Sequence, residues 1–146
     1  MRKPILLALV SLALLLPAAA VLAIETDPLV LLPGVWDWAG IPGSCQDNPQ
    51  TLTLSPDRLR LTLEFKKPVT NAAGKPQKSE VYKVLDARAR VLHTVVEGES
   101  RKDSKGQPLT YDFVFASDDS FCWHRSDWPK GQCTKKMMVR CPKPTH

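Results

Sequence analysis

The chain has 146 residues, which is enough for one globular domain with a substantial core. Its formal net charge of +5 is far from the strongly basic profile of a nucleic-acid-binding protein, so we expect no nucleic-acid partner. The charge is uneven: residues 24–120 carry 12 Lys and Arg against 14 Asp and Glu, whereas residues 121–146 carry six against one. The C-terminal part therefore either contacts an acidic partner or simply carries solubilising charge.

Residues 1–23 have the three parts of an export signal. Two basic residues follow the initial Met, residues 5–16 are apolar, and small residues end at Ala20 and Ala23. We predict a signal peptide cleaved after Ala20 or Ala23, a periplasmic or secreted mature protein, and no stable membrane span after cleavage. The alternative is an uncleaved anchor, because the apolar stretch approaches the roughly 20 residues that cross a bilayer.

The first half of the remaining chain has the period of two that is typical of β-strands. A first strand is expected around residues 35–38. Residues 50–66 predict a hairpin, because the proline of Ser55-Pro56-Asp57-Arg58 suits a type I turn. Apolar and polar residues alternate without interruption over residues 59–66, which places the leucines and Phe65 on one face.

The second half contains further short strands separated by segments rich in turn-forming residues. We place these strands at residues 81–85, 91–97, 111–115, 121–125 and 136–141. Tyr111, Phe113 and Phe115 share one face of their strand. No segment after the signal shows a convincing amphipathic helix, and Glu97 and Glu99 are expected to be solvated.

About eight short strands with hairpin-length connections predict an all-β fold. We expect residues 24–146 to form a single domain, an antiparallel up-and-down meander that closes into a small barrel. A two-sheet sandwich is the alternative.

The four cysteines all lie in the exported part, and an even number in an oxidising compartment favours two disulfides. Three pairings are possible, and we prefer Cys122 with Cys133 and Cys45 with Cys141. The alternative is a zinc site formed by the last three cysteines and His124, but their spacing matches no standard zinc pattern. We therefore expect no metal.

Gly34-Val35-Trp36 opens the first strand of a small exported chain of about eight strands. This motif resembles the G-x-W start of lipocalin-like and related calycin barrels. The resemblance implies that Trp36 closes one end of the barrel, and that the protein binds a ligand or a protein rather than catalysing a reaction.

The densest group of chemically capable side chains lies in residues 121–133, within a loop bounded by cysteines. Trp and Arg dominate binding hot spots, and a constrained loop presents them at little ordering cost. The alternative is that Trp123 fills the core and the disulfide only closes a loop. The candidate binding residues are Trp123, His124, Arg125, Trp128 and Lys130.

His124 also suggests a hydrolase, with Asp118 or Asp127 as the carboxylate that orients the imidazole. No serine or free cysteine stands out as a nucleophile, so we expect no enzyme and no cofactor.

Two functions remain open for a non-enzymatic binding protein of the bacterial envelope. The first is a protein-binding module of the inhibitor or immunity type, whose partner is an envelope or foreign protein contacted through the loop of residues 121–133. The second is a lipocalin-like carrier of a small apolar ligand. Its cavity would be lined by Trp36, Phe65, Phe113 and Phe115.

Overall fold

The computed structural model describes residues 26–71 and 73–143, and these contain two one-turn α-helices and eight β-strands. The signal peptide predicted over residues 1–23 lies outside the described residues. The helices are α1 (Pro28–Leu31) and α2 (Ser44–Asp47). The strands are β1 (Gly34–Trp38), β2 (Gln50–Leu54), β3 (Arg60–Thr70), β4 (Pro76–Arg88), β5 (Val91–Val96), β6 (Tyr111–Ser117), β7 (Ser120–Arg125) and β8 (Met138–Arg140).

Every strand pairs antiparallel with its neighbours in sequence, and β1 also pairs with β8. The sheet therefore closes into a barrel, in which each of the eight described strands has a paired neighbour on both sides. The predicted all-β, up-and-down barrel of eight strands is confirmed. The two-sheet sandwich is wrong, because the pairing of β1 with β8 joins the first and last strands in one closed sheet.

The strands predicted at residues 81–85 and 91–97 leave residues 86–90 as their connection, but the connection is shorter in the structure because β4 continues to Arg88. Only Ala89 and Arg90 connect β4 to β5, and their φ angles of 44° and 62° are both positive. Two successive residues with positive φ match the twist of a two-residue hairpin turn. The connection between these two strands was predicted but its length was not, because neither position carries the glycine or asparagine that is typical of a two-residue turn.

The two helices were not predicted from the sequence. Helix α1 begins after Asp27, whose carboxylate accepts a hydrogen bond from the Leu29 amide at 2.9 Å, and Pro28 occupies its first turn. Each helix contains four residues, which is too short for a 3.6-residue hydrophobic period to become visible.

Large apolar side chains fill the interior of the barrel. Among them, Trp36, Phe113 and Phe121 are fully buried, and the rings of Trp36 and Phe121 meet edge to face at a centroid distance of 4.9 Å. The alternation predicted for β3 holds at Leu61 and Leu63, which are buried. Leu59 is an exception: it precedes β3, faces solvent and is 57% exposed.

One end of the barrel, which we call the closed end, is covered by α1 and by the side chain of Arg140. The Trp36 indole Nε1–H donates to the Leu32 carbonyl at 2.8 Å, and the Arg140 guanidinium lies 4.3 Å from the centroid of the Trp36 ring. Arg140 also donates to the carbonyl oxygens of Leu31 and Pro33. The tryptophan thus closes this end, which is consistent with a calycin-like barrel.

Gly34 is required by this arrangement. Its φ of 143° is rarely adopted by other residues, and a Cβ at this position would lie 2.6 Å from Nη1 of Arg140. The hydrogen bonds of Arg140 to the carbonyls before β1 hold that nitrogen in place. The glycine of Gly34-Val35-Trp36 therefore makes room for the arginine that covers the tryptophan.

The two disulfides join Cys45 to Cys141 and Cys122 to Cys133, which is the pairing preferred from the sequence. None of the four cysteines is free, so no thiolate is left for the alternative zinc site. Two disulfides indicate that the protein resides in an oxidising compartment.

Candidate functional site

The end of the barrel opposite the closed end, here called the open end, contains a pocket of about 350 Å³. Long connections surround this end, at residues 39–49, 97–110 and 126–137, together with the hairpin formed by the outer parts of β3 and β4. Aromatic rings dominate the pocket wall, and we call it the aromatic pocket. Its aromatic residues are Trp38, Phe65, Tyr82, Tyr111, Trp123 and Trp128.

Strand register explains why these side chains face the interior. Residues directly opposite each other in an antiparallel pair share a face of the sheet. Tyr82 lies opposite Leu61, and Trp123 lies opposite Phe113, and both of these partners are fully buried. The aromatic pocket is therefore the outermost inward-facing layer of the barrel, stacked on its filled core.

One uncharged polar side chain and one acidic side chain reach the same layer from the strands. Gln50 lies opposite Phe65 and is only 7% exposed. Glu80 lies opposite Leu63, and its carboxylate accepts a hydrogen bond from the Tyr82 hydroxyl. Glu80 is partly buried, so its carboxylate places a negative charge on the wall of the aromatic pocket.

Arg125 also lines the aromatic pocket, but its charge is balanced. Its guanidinium donates two hydrogen bonds to the Asp127 carboxylate, at 2.6 and 2.9 Å, and lies 5.3 Å from the centroid of the Trp128 ring. These hydrogen bonds lower the pKa of Asp127 and raise the pKa of Arg125. The pair fixes the orientation of Trp128 through a cation–π contact.

The His124 imidazole lies at the edge of the pocket with Nδ1 2.6 Å from the Gln132 carbonyl oxygen. Because a carbonyl only accepts, Nδ1 donates, and Nε2 of the neutral ring is left as an acceptor. The two carboxylates considered as orienting groups are engaged elsewhere, since Asp127 pairs with Arg125 and Asp118 pairs with Arg90. Neither lies in hydrogen-bond contact with His124.

The structure brings together most of the candidate binding residues. Trp123, His124, Arg125 and Trp128 all line the aromatic pocket. Trp123 also packs against Phe113 with a centroid distance of 4.0 Å, so it contributes to both the core and the pocket. Lys130 is exposed in the disulfide-bounded loop and does not line the pocket.

The four residues predicted to line a carrier cavity are divided between the core and the pocket. Phe65 lines the aromatic pocket. Trp36 and Phe113 are fully buried and Phe115 is nearly so, and all three pack within the core. They fill the barrel where a deep cavity would have been.

Four members of the site were not predicted from the sequence: Trp38, Gln50, Glu80 and Tyr82. Trp38 could have been predicted to face inward, because it follows Trp36 by two residues and therefore lies on the same face of the strand. Glu80 and Tyr82 alternate in the same way along β4, but the predicted strand began at residue 81 and hid the relation.

Glu99 was expected to be solvated, and this is wrong. Both of its oxygens accept hydrogen bonds from the Arg101 guanidinium, at 2.9 and 2.8 Å, and the Tyr111 hydroxyl donates to it at 3.1 Å. Its side chain is only 4% exposed. The Arg101 hydrogen bonds lower the pKa of Glu99 to about 2, and burial raises the pKa of Tyr111 to about 12.

Acid titration should reveal this network. Because the folded-state pKa of Glu99 lies near 2, below its ordinary value of 4.5, its stabilising contribution is complete above pH 4.5 and is lost as the pH falls toward 2. Between pH 5 and pH 2, the free energy of unfolding of the unsubstituted protein should fall by about 2 to 3 kcal/mol more than that of Glu99→Gln. Guanidinium titration at each pH measures the difference. Glu64→Gln, on the exposed face of β3, should leave the pH dependence unchanged; equal slopes for all three proteins would contradict the assignment.

Comparisons with protein-family models, with curated proteins and with solved structures found no match to this chain. The architecture is that of a closed antiparallel barrel of eight strands, consistent with a calycin-like barrel, with one closed end and an aromatic pocket at the other. Across residues 26–71 and 73–143, no helix has the length and apolar character needed to cross a membrane. The same residues contain no cluster of three or more His, Cys, Asp or Glu side chains suited to a metal.

Proposed function

We propose that this protein is an exported, non-enzymatic binding module of the inhibitor or immunity type, and that it contacts a protein partner through the open end of its barrel. The observation that carries this proposal is the aromatic pocket, in which Trp123, Trp128 and Arg125 converge. Aromatic residues and arginine in a partly enclosed pocket are the usual anchors of protein–protein interfaces.

The size of the pocket suits an anchor side chain from a partner. At about 350 Å³ it lies at the lower limit of small-molecule sites, and Phe113 and Trp36 fill the barrel beneath it. An eight-stranded barrel can be packed with side chains alone, and this one is. The side chain of the partner would therefore be bound at the surface of the open end, within reach of the surrounding loops.

The disulfide between Cys122 and Cys133 supports the same function. It closes a loop that carries Trp128 and Lys130, and the amide of Trp128 donates to the Arg125 carbonyl at 2.9 Å within that loop. A loop that is ordered before binding loses little conformational entropy in the complex.

The second candidate function is a lipocalin-like carrier of a small apolar ligand. The apolar walls of the pocket favour it, because Phe65, Trp38 and Tyr82 would contact such a ligand directly. Titration with a medium-chain fatty acid should then quench tryptophan fluorescence at micromolar concentration. No change below about 100 μM would leave the protein-binding function as the better account.

Truncating Trp128 tests the proposed interface. With the purified protein as bait in an envelope extract, we expect Trp128→Ala to lower recovery of a specific partner at least about tenfold, because a hot-spot tryptophan contributes 2 kcal/mol or more. Lys130→Ala should lower recovery by a smaller factor. The measurement is quantitative mass spectrometry of captured proteins against the unsubstituted bait.

Lys105→Ala is the matched control, since the Lys105 side chain is exposed in a different loop and the bond to Asp103 is made by the backbone amide, which the substitution keeps. Recovery with this variant should equal that of the unsubstituted protein. If Trp128→Ala captures the partner normally, or if it instead lowers the thermal unfolding temperature by many degrees, Trp128 is structural and the proposed interface is wrong.

A further inference from the structure

We propose that the aromatic pocket recognises a positively charged side chain, a lysine or arginine of the protein partner. This inference rests on the proposed function and adds the chemistry of the contact. It depends on the walls, the charge and the unused hydrogen-bond acceptors of the pocket.

The walls of the pocket suit a cation. The faces of aromatic rings carry negative charge density, and a lysine or arginine placed within about 6 Å of such a ring is attracted to it, most strongly when water is excluded. The pocket contains six aromatic side chains, three of them the tryptophans Trp38, Trp123 and Trp128. Arg125 already makes a contact of this kind with Trp128 from the rim.

The charge of the pocket is negative once its ion pairs are counted. Arg125 is neutralised by Asp127, and the nearby Arg101 is held by both oxygens of Glu99. Glu80 forms no salt bridge to a described residue, and its carboxylate accepts a hydrogen bond from the Tyr82 hydroxyl. Glu99 and, to a smaller extent, Glu80 raise the pKa of the nearby Arg101, whose one positive charge is already matched by Glu99. Glu80 therefore leaves these groups with one net negative charge beside the aromatic pocket.

The polar groups of the aromatic pocket that lack a hydrogen-bond partner can act as acceptors. Gln50 is only 7% exposed, lines the pocket, and its side chain makes no hydrogen bond to any described residue. Its amide oxygen can accept, as can Nε2 of neutral His124, because Nδ1 of that ring is already engaged with Gln132. An ammonium or guanidinium group donates several hydrogen bonds and accepts none, so it complements this set.

The charge test compares peptides that differ in one group. N-acetyl-Gly-Lys-Gly-amide and its norleucine counterpart share the hydrocarbon stem, and only the first has an ammonium group. We expect the purified protein to bind the lysine peptide about tenfold more tightly than the norleucine peptide, and the corresponding glutamate peptide more weakly than either. The readout is the chemical shift of the tryptophan indole N–H signals during titration.

The residue test replaces the unbalanced carboxylate. Glu80→Gln keeps an acceptor for the Tyr82 hydroxyl but removes the charge, and it should reduce the preference for lysine over norleucine to about threefold or less. Glu64→Gln makes the same change on the exposed face of β3 and should preserve the full preference. The peptide comparison on the unsubstituted protein needs no variant, so the inference remains testable even if Glu80→Gln unfolds.

The outcomes separate this inference from the proposed function. Equal affinity for the lysine and norleucine peptides, or partner capture that is lost in Trp128→Ala but retained in full by Glu80→Gln, overturns the cation site and leaves the protein-binding function standing. If the protein prefers the lysine peptide but Trp128→Ala captures the partner normally, the cation site stands and the proposed interface is overturned.

Discussion

Replacing Cys45 and Cys141 together by alanine is expected to lower the free energy of unfolding by about 4 to 5 kcal/mol. The two cysteines are separated by 96 residues, and cross-linking so distant a pair restricts most of the unfolded chain. The bond also spans the closure of the barrel, where β1 pairs with β8, a strand of only three residues. Guanidinium unfolding followed by far-UV circular dichroism measures the loss.

The second disulfide provides the matched control. Cys122 and Cys133 are separated by 11 residues, for which the same dependence on loop length gives about 3 kcal/mol. Each pair contains one buried cysteine, Cys122 at 7% and Cys141 at 8% exposure, so substitution by alanine removes similar packing from both. A larger loss for the Cys122 and Cys133 pair than for the Cys45 and Cys141 pair would contradict the loop-length account.

The fold was predictable from the sequence because its strands follow local rules. The alternation in β3 and the turn at Ser55-Pro56-Asp57-Arg58 are readable without tertiary information, and hairpin-length connections imply neighbouring strands that pair. The strand ends were less predictable: β3 continues to Thr70 and β4 begins at Pro76, where their pairing shifts register and extends past the core. Hydrophobic alternation carries no signal where neither face is buried.

The candidate site was predictable only in part, since it is assembled from six strands. The residues on β7, Trp123 to Arg125, attracted attention because they are adjacent in sequence. Glu80 and Gln50 are ordinary polar residues in the sequence, and only strand register shows that they face inward beside Phe65. The Glu99 network was missed because sequence alone does not show that the connection carrying Glu99 folds back onto Tyr111 of β6.

The two ends of the barrel divide stability from recognition, and their tryptophans should respond differently to truncation. At the closed end Trp36 is fully buried, its indole N–H is bonded to the Leu32 carbonyl, and Arg140 covers its ring. At the open end Trp128 is partly exposed and packs against Arg125 on the rim of the aromatic pocket. Only the first tryptophan is enclosed by the core.

Trp36→Ala is therefore expected to lower the free energy of unfolding by about 3 to 5 kcal/mol, because it leaves a cavity and an unpaired carbonyl in the core. Such a loss is a large part of the 5 to 15 kcal/mol that typically stabilises a domain. Trp128→Ala should cost about 1 kcal/mol or less, chiefly its contact with Arg125. Guanidinium unfolding monitored by far-UV circular dichroism compares the two variants without relying on tryptophan fluorescence. Comparable losses would mean that the open end is as much a part of the core as the closed end, and that Trp128 is not free to serve as a binding residue.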